Sequence, residues 1–516
     1  MFGIQFEAPF QLTAAAPTRA DVVCFVGFSR RRATAVPNDL FSWLVEWGWR
    51  DAIQDSNERD AARKTDSLEN VPVPIERFAT FEELFELARA SDDPSMTWLA
   101  ASVRSFFAQG GVRCFVVRAG CSWKAQVKRS GATAEAMAAE KRRNVTRLLS
   151  LLQTNTHFIP PARSDRSQWK GVRVLHGLDE AAFVCLPDLP ELVADATITV
   201  PDTHVTAEEV FVECSDEHSP PTHRANSALP MPACTEAGYR AWFAAVHAVA
   251  QFLTTERRDM QFIAAVPQPE SALPNALAKQ LDAARTRTGS ALSGGLDSVG
   301  GIASEFIQLA WPWVVTPASE SLPGRAEPAD GVLAGIAART IITQGTHRSL
   351  GRQSVNEVSG FIPVVAGDDL NLGSVDSLIN RVTILGPTPG GFRVLSDQTT
   401  AIPRDARPAS IRRITASVLR AARSLGESVA FEPSGPELWR DIRRQLDALM
   451  RDFFQAGALR GATPEAAFEV RCDESTMTQN DRDSGRLFAL VKFAPAVPVN
   501  LIIVRLALRE GGPVAT

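Results

Sequence analysis

The chain has 516 residues, 45% of them apolar and 22% charged, with 54 basic against 59 acidic side chains and a net charge of -5. That is the composition of an ordinary globular protein large enough for two or three domains, and its mildly acidic balance excludes a chain dominated by nucleic-acid binding. No apolar run approaches the roughly 18 residues a membrane-spanning helix needs, and the start lacks the basic flank and long apolar stretch of a secretion signal, so folding in the cytosol is expected.

In chain order, residues 1–18 set Ile4, Phe6 and Phe10 among polar or small residues, which predicts one short strand that needs a partner sheet. From 19 to 120 strands and helices alternate: a strand over Val22–Phe28, helices around Leu40–Trp49, Phe81–Leu87 and Trp98–Ala108, then a strand over Val112–Arg118. Gly110 and Gly111 end the third helix. Such alternation implies an α/β layer around a largely parallel sheet. Between 121 and 178 the pattern weakens, with one helix over Ala134–Leu152, as in a peripheral insertion. The rhythm resumes with a strand over Ala181–Leu186, a proline-rich loop to Cys234, a helix over Ala237–Thr255, a strand over Met260–Val266 and a helix around Leu273–Arg285. The Gly- and Pro-rich stretch from Pro312 to Gly391 has short apolar runs and is expected to form surface loops between domains.

The last domain is expected to begin near Arg393. There Ser434 and Glu437 make a capping box, Leu438, Ile442, Leu446, Leu449 and Phe453 form a helical stripe, and Gly457 supplies a left-handed exit. Phe468–Cys472, Leu487–Phe493 and Leu501–Leu508 alternate like strands, with a turn at Asp481–Gly485. Cys24, Cys114, Cys185 and Cys472 fall inside apolar strand patterns, the setting of buried free thiols. No internal repeat is present, which excludes a solenoid.

Chemical motifs are few. Ser293, Gly294, Gly295, Asp297 and Ser298 match a pyrophosphate-binding loop, yet the preceding Ala283–Gly289 is polar and basic where a buried strand should stand. An ATP-pyrophosphatase-type enzyme built on that loop is the alternative to a structural role. Cys214, His218, His223 and Cys234 share one loop, but their spacing fits none of the common zinc patterns, and no metal or cofactor is expected. Arg404–Arg423 holds six arginines and one aspartate. On a helical wheel Ile414, Val418, Ala422 and Leu425 share one face, and Arg412, Arg413, Arg420 and Arg423 the other. A face of one sign repels itself unless something neutralises it, which points to a partner.

Several blocks resemble, in the right order, those of contractile tail sheath proteins from phages and phage-tail-like injection particles. Near the start they are TRADVVCFVGF, VPVPIERFATFEELF and WLAASVRSFFAQGGVRCFVVR; in the middle, SEFIQLAWPWV, PADGVLAGIAART and QGTHRS. The C-terminal block adds Phe431, Glu432, Pro433, Leu438, Trp439, Gly457, Ala458, Leu459, Gly461, Phe468, Val470, Cys472, Asp473, Asn480, Asp481, Gly485, Pro495, Pro498 and Ile502.

The resemblance implies a mixed α/β fold without enzymatic activity. It divides the chain into an arm at 1–18, an outer α/β domain at 19–392 and an inner domain of helices on a small sheet at 393–516. The outer domain would carry an insertion at 121–178 and loop-rich stretches at 187–236 and 286–330. Six-membered rings would stack around an inner tube, contacting baseplate or cap proteins but neither nucleic acid nor membrane, first in the bacterial cytoplasm and then in a phage tail or injection particle. Strands from Ile4, Phe6 and Phe10 and from Leu501, Ile502, Ile503, Val504 and Leu506 would link neighbouring subunits, and Arg412, Arg413, Arg420 and Arg423 would face the tube. The family's usual Pro-Gly-Val-Tyr-like arm is absent, and its Trp-Gly-Ala-Arg-Thr-like element is reduced to Phe392–Asp397, which suggests an end-ring subunit.

Overall fold

The computed structural model describes residues 19–90, 93–121, 133–150, 166, 169–201, 228–270, 277, 302–365, 370, 378–429, 435–483, 487–496, 506–509 and 512–515. Ile4, Phe6, Phe10, Leu501–Val504, the Ser293–Ser298 loop, Ser434, and Cys214, His218 and His223 lie outside the described residues.

An eight-stranded sheet carries the larger core. Its strands are β1 (Val23–Gly27), β2 (Val73–Ile75), β3 (Cys114–Arg118), β4 (Phe183–Cys185), β5 (Gln261–Ala265), β6 (Ile307–Trp311), β7 (Thr383–Thr388) and β8 (Gly391–Val394), in the order β8-β7-β6-β5-β4-β1-β3-β2. The six inner strands are parallel, and an antiparallel strand closes each end. β1, β3, β4, β5 and β6 are buried at every position, as expected for parallel strands covered on both faces. Cys24, Cys114, Cys185 and, in the C-terminal core, Cys472 are buried free thiols, as their apolar settings predict.

Helix α1 (Asn38–Glu46) covers one face, with Trp43 on Phe115. The other face is covered by α2 (Trp98–Ala108), whose Phe106 meets Phe25 of β1 edge to face. Thr97 caps α2 by accepting from the Ala100 N–H at 3.2 Å, and Gly110 leaves it at φ +95. Helix α3 (Ala134–Leu149) sends Leu148 and Leu149 into the core, so the 121–178 stretch is in part integral to it. Helix α4 (Glu236–Thr255) lies against β5.

The stretch expected to be linking loops contains a long and deeply buried helix. Helix α5 (Asp330–Gln344) is buried continuously from Asp330 to Ala338, between α2 and strands β4, β5 and β6. A helix enclosed on all sides has no polar face and so no 3.6-residue pattern to detect. Its two glycines permit the approach: a Cβ on Gly331 would stand 2.5 Å from the Ser102 carbonyl oxygen, and one on Gly335 2.5 Å from that of Phe106. Gly331→Val should therefore cost at least about 3 kcal/mol in urea unfolding, at the upper end for overpacking against backbone that cannot yield. Gly426→Ala, at a position with open space around it, is the control that should not destabilise.

The second core belongs to the C-terminal part. Helix α6 (Ala409–Ser428) leads to α7 (Pro436–Gln455), whose Leu438, Trp439, Ile442, Leu446 and Met450 pack with Phe468 and Val470 of β9 (Phe468–Arg471). The N-cap of α7 is Gly435, with Pro436 at the first helical position, and Gly457 adopts φ +73 just beyond the end. β10 (Leu490–Phe493) pairs antiparallel with β9, and β11 (Leu506–Arg509) with β12 (Gly512–Ala515). The expected turn at Asp481–Gly485 begins instead with a short helix, Gln479–Asp483, in which the Asp481 carboxylate accepts from the Thr478 hydroxyl at 2.6 Å.

Candidate functional site

Three of the four α6 arginines expected to face a tube are buried within this chain. Arg412, Arg413 and Arg420 are 3%, 3% and 5% exposed, enclosed by this chain's own acids and carbonyls. Arg413 forks onto Asp397, with Nη2 to Oδ2 at 2.7 Å and Nη1 to Oδ1 at 3.2 Å, and donates to the Arg348 carbonyl at 2.9 Å. Asp397 also accepts from Gln308 Nε2 at 3.0 Å and from the Leu350 N–H at 2.9 Å. Four donors thus satisfy a carboxylate with no access to water.

Arg412 lies over the Phe306 ring at 3.9 Å, within 3.7 Å of Glu305, and donates to the Arg258 carbonyl. Arg420 donates to the Asp259 carbonyl and to Ser417 Oγ. Burial, opposed by Glu305 for Arg412 and by Asp259 for Arg420, lowers each guanidinium to about 10, so both remain charged at neutral pH. Burial also pushes the Asp259 carboxyl up, but the fork from Arg257, at 3.0 Å on both oxygens, outweighs it and holds the group below its ordinary value. Arg423, half-buried, reaches Asp179 at 3.3 Å and Asp259 at 3.8 Å. The charges of the one-sign face are met by acids and carbonyls of this same chain, on segments that flank strands of the eight-stranded sheet. Asp179, Asp259, Glu305 and Asp397 are the residues that sequence reasoning missed; the excess of arginine on one helix was the signal that such acids must exist somewhere.

A second charged cluster lies at the α2–α5 seam. Glu327 accepts from Ser105 Oγ at 2.5 Å and from the Thr316 hydroxyl, and Asp330 from the Gly331 N–H at 3.0 Å, while Asp188 accepts from the Phe28 N–H at 2.9 Å. Glu327 Oε2 and Asp330 Oδ2 are buried without a hydrogen-bond partner among the described residues. Burial pushes the carboxyls of Asp188 and Glu327 up to about 7 and that of Asp330 up to about 8. Nearby, Arg89 and Trp98 hold Glu191 at 2.8 and 2.7 Å. No group of three His, Cys, Asp or Glu residues is placed to hold a metal ion among the described residues. Cys234, the described member of the Cys/His loop, is buried, and burial pushes its thiol up to about 12.

The third feature is the small C-terminal sheet. Phe468, Val470, Val491 and Phe493 share the face toward α7, while Glu469, Arg471, Leu490 and Lys492 share the other. Ala458–Arg460 borders the chain just past β10, through Arg460 N–H to the Ala494 carbonyl and Ala496 N–H to the Ala458 carbonyl. Otherwise the sheet has two strands, and β9 has one ladder partner among the described residues. Leu506–Arg509 pairs with Gly512–Ala515 rather than with this sheet.

No family model matches the chain, and no curated protein does. Solved structures do. A chain of the anti-feeding prophage baseplate in its contracted state superimposes with a TM-score of 0.59 at 17% identity, over 99% of this chain and 99% of that one. A chain of the PVC sheath complex, an extracellular contractile injection system in its contracted state, gives 0.56 at 14% identity over 99% and 98%. The helical sheath of the anti-feeding prophage, also contracted, gives 0.54 at 16% identity over 98% and 99%.

The chain has the contractile-sheath fold. In this sheath-fold chain the mixed eight-stranded sheet and the C-terminal helices on a small sheet agree with the expected fold class. No described helix is long and apolar enough to cross a membrane.

Proposed function

We propose that the protein is a structural, non-enzymatic subunit of a contractile sheath. Subunits assemble as stacked six-membered rings around an inner tube, in contact with baseplate or cap proteins, and shortening of the stack drives the tube through a target envelope. The observation that carries this reading is the extent of the likeness: sheath chains are covered from end to end, including the C-terminal domain, and not over a generic α/β sheet alone. The match to a chain of a contracted baseplate supports an end-ring position.

The edges of β9 and β10 that carry no ladder partner among the described residues support linkage between subunits, because an unpaired strand edge is a template for strand addition. Ile4, Phe6 and Phe10 of one subunit and Leu501, Ile502, Ile503, Val504 and Leu506 of another would supply the added strands. The pairing of Leu506–Arg509 outside the β9–β10 sheet favours this role over closure of the chain's own sheet. Assembly would take place in the bacterial cytoplasm, and the finished sheath would belong to a phage tail or an injection particle.

Negative-stain electron microscopy of the protein co-expressed with its tube protein and baseplate components tests the reading. Hollow striated cylinders, or closed six-membered rings for an end-ring subunit, are expected. Removal of residues 501–516 should leave a folded monomer and abolish both assemblies. Monomers from the full chain under every condition would sink the proposal.

A further inference from the structure

We infer that α6 is a lever shared by the two cores, and that the buried guanidiniums of Arg412, Arg413 and Arg420 fasten it to the outer domain so that the inner domain turns with it as one body. The evidence is the two-sidedness of the helix. At about 100° per residue, Ala409, Arg413, Ala416 and Arg420 lie on one side, and Val418, Ala422, Leu425 and Val429 lie roughly opposite. The first set is buried or hydrogen-bonded against β5, Asp259 and Asp397, and the second packs with Leu438, Trp439 and Ile442 of the second core.

Among the described residues the larger apolar cluster runs to Leu395 and the smaller begins at Val418, so neither of these two clusters spans both. Besides the small buried Ala409 and Ala416, the outer-domain side of the joint is polar and directional. Arg413 reaches Asp397 just after β8, Arg412 reaches Phe306 and Glu305 just before β6, and Arg420 reaches Asp259 just before β5. Three anchors on three different approaches to one sheet resist rotation about the helix axis as well as sliding along it. An apolar contact of the same area would resist neither so strongly, because burial alone has no preferred direction. The fastening is internal to one chain and does not depend on the sheath reading, so the isolated protein suffices to test it.

The test is unfolding and hydrogen exchange of the full chain. The wild type should melt in one transition that includes both cores. Arg413→Gln and Arg420→Met should each split the melt in two and speed exchange through α6 and α7 by roughly a hundredfold, since the first strands the buried Asp397 carboxylate and the second removes a charged donor from the buried Asp259 carbonyl. Exchange in β1, β3 and β5 should stay at the wild-type rate. A wild type that already melts in two separated steps would overturn the inference, whether or not a variant folds. Variants that lower a single common transition without separating the cores would overturn it as well, since the arginines would then add stability without coupling.

Discussion

Replacing Asp397 with alanine should cost about 3–5 kcal/mol of unfolding free energy, measured by urea denaturation at neutral pH. The carboxylate lies between β8 and α6 and accepts from Arg413, Gln308 and the Leu350 N–H, none of which has water to replace it. Its removal leaves one buried cation and two buried donors without a partner, and the stranded charge is the larger part of the effect. Adding Arg413→Met should recover much of the loss, because a buried pair replaced by apolar groups of similar volume is often close to neutral. A single variant that costs less than about 1 kcal/mol, the value of an exposed surface pair, would contradict the burial on which the clamp rests.

Acidification from pH 8 to pH 6 should stabilise the protein. Asp188, Glu327 and Asp330 titrate at 3.8, 4.5 and 3.8 when unperturbed, and burial raises them to about 7, 7 and 8 in the folded chain. Between those limits the folded state binds protons that the unfolded state has lost. Unfolding free energy therefore falls as pH rises, by up to about 1.4 kcal/mol per pH unit for each group, until the folded carboxyl itself ionises. The loss is complete above about pH 8. Asp66 and Asp259, whose carboxyls are held below their ordinary value, act in the opposite sense and withdraw stability only as pH falls below the ordinary carboxylate range. Melting temperature followed across pH 5 to 8 should thus decline toward the alkaline end, by an amount equivalent to a few kcal/mol. Asp330→Asn, which keeps the shape and removes the charge, should flatten that slope and be the more stable protein at pH 8. A profile that is flat or rises from pH 6 to 8 would show these carboxyls to be solvated.

Elements with one wet face were legible in the sequence, and those without were not. Trp98–Ala108 has the expected bounds because Thr97 and Gly110 punctuate it, and α7 shows its stripe because its opposite side meets solvent. The sequence of helix α5 reads as loops because enclosure erases periodicity and its glycines resemble turn residues. For α6 the two faces were legible and the destination of one was not. Arg412, Arg413 and Arg420 look like a docking surface until acids between about 15 and 160 positions earlier in the chain, Asp397 and Asp259 among them, come into place around them. Pairings at that sequence distance leave no local trace.

The two rims of the large sheet differ from the small one in a way that bears on specificity. Along β8 the backbone of 352–355 occupies the outer hydrogen-bonding positions, through Arg352 N–H to the Val394 carbonyl and Val355 N–H to that of Phe392. At the far rim Pro74 removes a donor from the middle of β2. A stray extended peptide therefore finds little purchase on the eight-stranded sheet, and strand addition is left to smaller sheets such as β9–β10, whose outer edges carry no ladder partner among the described residues. Under the proposed sheath role, a large sheet that resists strand addition beside a small one that accepts it would restrict the ways in which two copies can join.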